Sequence, residues 1–117
     1  MNTPVPSIGV VELAEALRGG ATLIDVREPV EFEEVRAVGA QLIPLATVPD
    51  SVEAMPPATR FFVICHLGGR SLRAAQWMRQ QGLDAVNVDG GTDAWVAAGL
   101  PTESGPESGR ETSSAAE

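Results

Sequence analysis

The sequence predicts an α/β domain built on a mainly parallel sheet. Short apolar runs alternate with segments of helical period through residues 4–101, the pattern of strand–helix crossover units. One run, Phe61-Phe62-Val63-Ile64, is apolar without alternation, as expected of a central strand covered on both faces. Glycine or proline stands at most junctions, which keeps the elements short.

Val10, Leu13, Ala14 and Leu17 fall on one helical face, and Gly19-Gly20 closes that helix. Residues 22–26 (Thr-Leu-Ile-Asp-Val) read as a strand punctuated by Glu28-Pro29. Pro29 suits the start of a short acidic helix reaching Glu34. Residues 41–45 form a short strand whose Pro44 marks an edge or a strand end. Residues 50–55 predict a brief helix ended by Pro56-Pro57. Residues 71–81 make the best helix, with Leu72, Ala75 and Met78 on one side and Gly82 as its stop. Residues 85–88 are another strand, and residues 93–98 a last short helix ended by Gly99 and Pro101. Trp77 and Trp95 are expected in or near the core. Crossovers should be right-handed and ligands should sit beyond the C-terminal ends of the strands.

A chain of 117 residues and 12.2 kDa fits one domain. Hydrophobic residues make up 44% and charged ones 21%, an ordinary globular balance that argues against a wholly disordered chain. Sixteen acidic residues oppose eight basic ones, all arginine, for a formal charge of −8. Nucleic acid and anionic membranes both call for a positive field, so neither is an expected partner. The single cysteine, Cys65, excludes an internal disulfide, and with the single histidine, His66, it cannot build a zinc site. No metal or other cofactor is expected. The first residues carry neither a basic stretch nor a long apolar run, and no segment approaches a membrane span; the expected compartment is the cytoplasm. Residues 102–117 lack Val, Ile, Leu, Met, Phe and Trp, too little apolar surface to order a segment by burial. The expected organisation is therefore a domain over 1–101 and a flexible acidic Ser/Gly/Glu tail over 102–117. Four Glu and one Arg put −3 of the charge in that tail and leave −5 on the body.

Cys65 directly follows the most apolar strand, in Phe61-Phe-Val-Ile-Cys-His-Leu-Gly-Gly-Arg-Ser71, and the longest helix begins just beyond. A strand–loop–helix with two glycines curls backbone N–H groups inward at a helix N-terminus. Such a nest stabilises a thiolate, the nucleophilic form of cysteine, and any anion attached to it. Gly68 and Gly69 allow close approach of the backbone. Arg70 closes the loop, its fork suited to loop carbonyls or to an oxyanion substrate. His66 either tunes the thiolate or points outward, and Leu67 either rims an apolar pocket or is merely exposed. Asp25 and Arg27, at a strand's C-terminal end, read as a structural ion pair that braces the loop. The acidic run Glu28, Glu31, Glu33, Glu34 reads as a solvated face.

These segments together resemble a single-domain rhodanese, a sulfurtransferase. Leu23-Ile-Asp-Val-Arg-Glu-Pro29 with Glu31-Phe32 is similar to that family's first signature, followed by Gly39-Ala40 and Ile43-Pro44-Leu45. Val63-Ile-Cys-His-Leu-Gly-Gly-Arg-Ser71 is similar to its catalytic loop, and Gly90-Gly-Thr-Asp-Ala-Trp95 with Gly99-Leu-Pro101 to its C-terminal signature. The resemblance spans residues 5–101 in order and spacing.

It implies a five-stranded, mainly parallel sheet flanked by helices on both faces, and a two-step reaction with Cys65 as the nucleophile. The thiolate takes the outer sulfur of a donor such as thiosulfate or a persulfide, and the Cys65 persulfide passes it to cyanide, a thiol or a protein acceptor. His66, Leu67, Gly68, Gly69 and Arg70 are the implied substrate-binding loop, with Asp25, Arg27 and Ser71 in support. Phosphatases and arsenate reductases related to this fold carry Cys-x5-Arg; here the spacing is Cys65-x4-Arg70, the sulfurtransferase length. A weakly active binding or sulfur-carrier module on the same fold is the other reading. The chain departs from the family's usual Gly-His-Ile-Pro segment in having Val35-Arg-Ala-Val38, so no role transfers to Arg36. A loop with so little positive charge on an acidic body is expected to bind dianionic thiosulfate weakly. With no second cysteine in the chain, the acceptor must come from outside.

Overall fold

In the computed structural model, residues 4–52, 55 and 60–106 are described. Five strands, β1 (Ser7–Ile8), β2 (Thr22–Asp25), β4 (Ala40–Leu42), β5 (Arg60–Ile64) and β6 (Asp84–Val88), form one sheet in the order β1-β6-β5-β2-β4. All four pairings are parallel. The unbroken apolar run of β5 lies at the centre of the sheet, and β4, which spans Ala40–Leu42 rather than the expected 41–45 and ends before Pro44, lies at its edge. Alternation within each strand splits the core into two layers. Leu23, Phe62, Ile64, Val86 and Val88 face α1 (Val10–Arg18), α2 (Pro29–Glu34) and α5 (Gly91–Ala97), where Leu13, Phe32 and Trp95 are buried. Ile24, Phe61, Val63 and Ala85 face α3 (Val48–Ser51) and α4 (Gly69–Gln80), where Val48, Ala74, Ala75 and Met78 are buried. Helices thus cover both faces. Trp95 sits inside the first layer, while Trp77 is packed, partly buried, against the second.

The differences from expectation are local. The helix expected at residues 50–55 starts earlier: a single 3-10 turn, Leu45–Thr47, leads into α3, and Pro49 stands in the first turn of α3, where its missing N–H costs nothing. Residues 53–54 and 56–59 lie outside the described residues. α5 begins two residues before the expected start, because Gly90 takes a positive φ of 76° and caps it.

Residues 102–105 differ from the expected flexible tail. A second, two-stranded sheet pairs β3 (Arg36–Ala37) with β7 (Thr102–Glu103) antiparallel. Beyond it, Ser104 Oγ donates to the Glu34 carbonyl at 2.9 Å and the Gly105 N–H to the Glu33 carbonyl at 2.7 Å. Arg36 is 1% exposed. Its guanidinium lies over the Phe32 ring and donates to the carbonyls of Phe32 at 2.9 Å and Gly105 at 2.6 Å. Backbone pairing and a buried cation fasten this segment, so its lack of apolar side chains was the wrong criterion. Residues 107–117 lie outside the described residues. None of the described helices is long and apolar enough to cross a membrane.

Candidate active site

Three chain segments meet at the C-terminal end of the sheet. β5 delivers Cys65 to the edge of the second core layer, and the residue is 1% exposed. The chain then turns through His66 and Leu67 to Gly68, which caps α4 at φ +114°. That left-handed conformation favours glycine, and it points the Gly68 N–H at Cys65 Sγ, 3.1 Å away. Gly69, the first residue of α4, has no positive φ, so only one of the loop's two glycines is demanded by the backbone. The Ser71 hydroxyl lies 3.3 Å from the sulfur. Burial pushes the thiol up, but the Ser71 hydroxyl and the N–H groups of Ser71, Gly68 and Leu67 outweigh it and hold the thiol below its ordinary value. The sulfur is a thiol biased toward thiolate at the N-terminus of a helix of 12 residues.

The loop's outer edge is held by α5. Thr92 donates its N–H and its hydroxyl to the Cys65 carbonyl, at 2.8 and 3.0 Å, and the Asp93 N–H donates to the His66 carbonyl at 3.1 Å. A Cβ on Gly91 would fall 2.4 Å from the His66 carbonyl oxygen and 2.5 Å from that of Cys65, closer than any side chain tolerates. Gly91, the first residue of α5, is therefore a seat for the cysteine loop.

The rhodanese-like domain family model matches residues 10–98. The chain belongs to that family. A chloroplastic rhodanese-like/PpiC domain-containing protein of Arabidopsis thaliana is 37% identical over 112 residues; that match takes in 85% of this chain and 38% of the plant protein. This chain thus spans well under half of that relative. A protein of Allochromatium vinosum named sulfurtransferase is 32% identical, over 68% of this chain and 75% of its own length. The crystal structure of a rhodanese-related protein from Thermoplasma volcanium superposes with a TM-score of 0.78 at 31% identity, over 84% of this chain and 97% of that one.

In this rhodanese-like domain the other site residues are placed as follows. Asp25 and Arg27 are 0% and 3% exposed and form a closed pair: Asp25 Oδ1 and Oδ2 accept from Arg27 Nε at 2.9 and 3.1 Å, and Oδ2 from Arg27 NH2 at 2.8 Å. Arg27 also donates to the Val35 carbonyl at 2.8 Å. Parallel register sets Asp25 beside Ile64, the residue before Cys65. Arg70 Nη1 and Nη2 each donate one hydrogen bond to the Glu31 carboxylate, at 2.8 and 2.9 Å, so the fork ties the cysteine loop to α2. The Arg70 guanidinium in turn holds the Glu31 carboxyl down at about 2. Glu31, read from sequence as part of a solvated acidic face, is thus the strut between α2 and the cysteine loop.

Leu67 is 63% exposed. His66 is exposed and makes no side-chain hydrogen bond to the sulfur. It lines a cleft of about 280 Å³ with Arg27, Glu31, Glu34, Asp93 and Val96. Arg27 and Glu31 are each paired elsewhere, and the carboxylates of that cleft without an ion pair among the described residues are Glu34 and Asp93.

Proposed function

We propose that this rhodanese-like domain is a sulfurtransferase that carries sulfur as a persulfide on Cys65. The observation that supports it most is the sulfur's setting. A nucleophile buried at a helix N-terminus, with a backbone N–H and a hydroxyl aimed at it, is prepared for a negative charge on itself or on one further sulfur atom. In the first step the Cys65 thiolate attacks the outer sulfur of the donor. A sulfur–sulfur bond to Cys65 forms, and the donor's own sulfur–sulfur bond breaks. Sulfite leaves if the donor is thiosulfate, or a thiolate if it is a persulfide. In the second step an acceptor thiolate or cyanide attacks the outer sulfur of the persulfide, and its electron pair returns to Cys65 as thiolate.

Leu67 lies at the rim of this path, and Gly68 gives the N–H that follows the charge. Gly69 begins the helix, and Arg70 keeps the loop in place through Glu31. The carboxylates of the neighbouring cleft favour an uncharged or amine-bearing thiol, free or on a protein, over a dianion. Thiosulfate then serves as a surrogate donor.

Initial-rate kinetics with donor and acceptor varied together test the proposal. Parallel double-reciprocal lines, lost in Cys65→Ser, are expected. Intersecting lines, or turnover that survives Cys65→Ser, would exclude a covalent Cys65 intermediate.

A further inference from the structure

A buried asparagine stands behind the sulfur. Asn87 is 4% exposed, in β6 among the buried apolar residues Ala85, Val86 and Val88. A carboxamide in such a strand costs free energy unless its polar atoms find partners. In this structure its carboxamide oxygen faces Ser71: Oδ1 accepts from Ser71 Oγ at 2.6 Å, much shorter than that hydroxyl's other two contacts, 3.3 Å each to Cys65 Sγ and the Gly68 carbonyl. The reaction outlined above makes no use of it.

The Ser71 hydroxyl has one hydrogen and more than one acceptor in reach. When Asn87 turns its carboxamide oxygen to Ser71, the hydrogen goes there, and the sulfur loses its only side-chain donor among the described residues. When Asn87 turns its NH2 group, Ser71 Oγ accepts from it and directs its own hydrogen to Sγ. The two ends of a carboxamide have the same shape, so a half-turn exchanges them. The other end of the carboxamide, Nδ2 as the structure stands, makes no hydrogen bond to a described residue and is not fully buried. An anionic sulfur selects the second arrangement, because a hydrogen bond to a charged acceptor is the stronger one.

We infer that Asn87 is a positioning residue for Cys65: it offers its NH2 group to Ser71 when the sulfur is anionic and thereby aims the Ser71 hydroxyl at Sγ. The inference rests on Cys65 being the nucleophile. Other groups shape the field at the sulfur. They are His66 and Arg70 from its own loop and helix, the Asp25–Arg27 pair from β2, Glu31 from α2 through Arg70, and Asp93 from α5. None of them gives the sulfur a side-chain hydrogen bond. The Asn87–Ser71 relay is the route by which β6 reaches it.

The pH dependence of Cys65 alkylation by iodoacetamide tests this. It reads the thiolate without any sulfur donor, so its outcome is separate from whether the domain transfers sulfur. Ser71→Ala is expected to raise the midpoint by about one pH unit. Asn87→Ala should raise it by roughly half as much, and the double variant no further than Ser71→Ala alone. Additive shifts, or no shift in Asn87→Ala, would overturn the relay. In the unaltered chain, which avoids any loss of folding, the Asn87 side-chain amide resonances should titrate with the Cys65 midpoint and be flat in Cys65→Ser. Resonances that ignore the Cys65 titration in the unaltered chain would overturn it equally.

Discussion

Replacing Glu31 with Gln removes the charge that holds Arg70, and its cost follows from the geometry. Two hydrogen bonds of 2.8 and 2.9 Å join a carboxylate and a guanidinium whose side chains are 30% and 31% exposed. The carboxyl, ordinarily at 4.5, is held down to about 2 by that guanidinium. At about 1.36 kcal/mol per pH unit this interval corresponds to roughly 3 kcal/mol of preference for the charged form. Solvent at a partly exposed pair screens that to about 1–2 kcal/mol of stability. The folded value lies below the unfolded one, so the contribution is complete above the unfolded value and fades as pH falls through the folded value. Glu31→Gln should therefore lower the melting temperature at neutral pH by roughly 4–10 °C. The gap between the two proteins should close between about pH 5 and pH 2. Thermal melts followed by circular dichroism across that range measure both effects. Parallel pH profiles for the two proteins, at any offset, would refute the clamp.

Three further outcomes follow from other contacts. Gly91→Ala places a methyl group against the carbonyls of Cys65 and His66 and strains a φ of +61°. It should cost at least about 2 kcal/mol and slow Cys65 alkylation, as measured by denaturant titration and iodoacetamide kinetics. Truncation after Pro101 removes β7, the bonds from Ser104 and Gly105, and one partner of the buried Arg36. Urea unfolding should show a loss of about 2–4 kcal/mol. Among small acceptor thiols of matched acidity, an amine-bearing one should accept sulfur faster than a carboxylate-bearing one. Glu34→Gln with Asp93→Asn should narrow the difference by roughly two- to fivefold in second-order rate constant.

The parts of this molecule that were legible in its sequence are those whose partners are near in the chain. The central strand announced itself because Phe61–Ile64 needs apolar cover on both faces, and Cys65 with Gly68 because strand, turn and helix follow one another without interruption. Partners brought in from a distance were not legible. Asn87 approaches the cysteine loop only because β6 pairs with β5 in a register that sets it beside Val63. Arg70 finds Glu31 at a separation of 39 residues, so nothing in its own segment showed which carboxylate it would bind. Gly90-Gly91 was visible as a motif, but its purpose appears only when α5 is seated on the Cys65 and His66 carbonyls. Residues 102–105 differ from expectation for another reason. Composition measures what side chains can bury, whereas this segment is fastened by backbone hydrogen bonds and by a guanidinium from β3.

The central claim is that Cys65 itself carries the transferred sulfur, and the intact mass of the protein measures this most directly. After incubation with thiosulfate, or with a low-molecular-weight persulfide, and removal of the donor, the chain should gain the mass of one sulfur atom. The gain should map to the peptide containing Cys65, be absent from Cys65→Ser, and disappear when an acceptor thiol is added. An unchanged mass with every donor, or an adduct that persists in Cys65→Ser, would contradict the account.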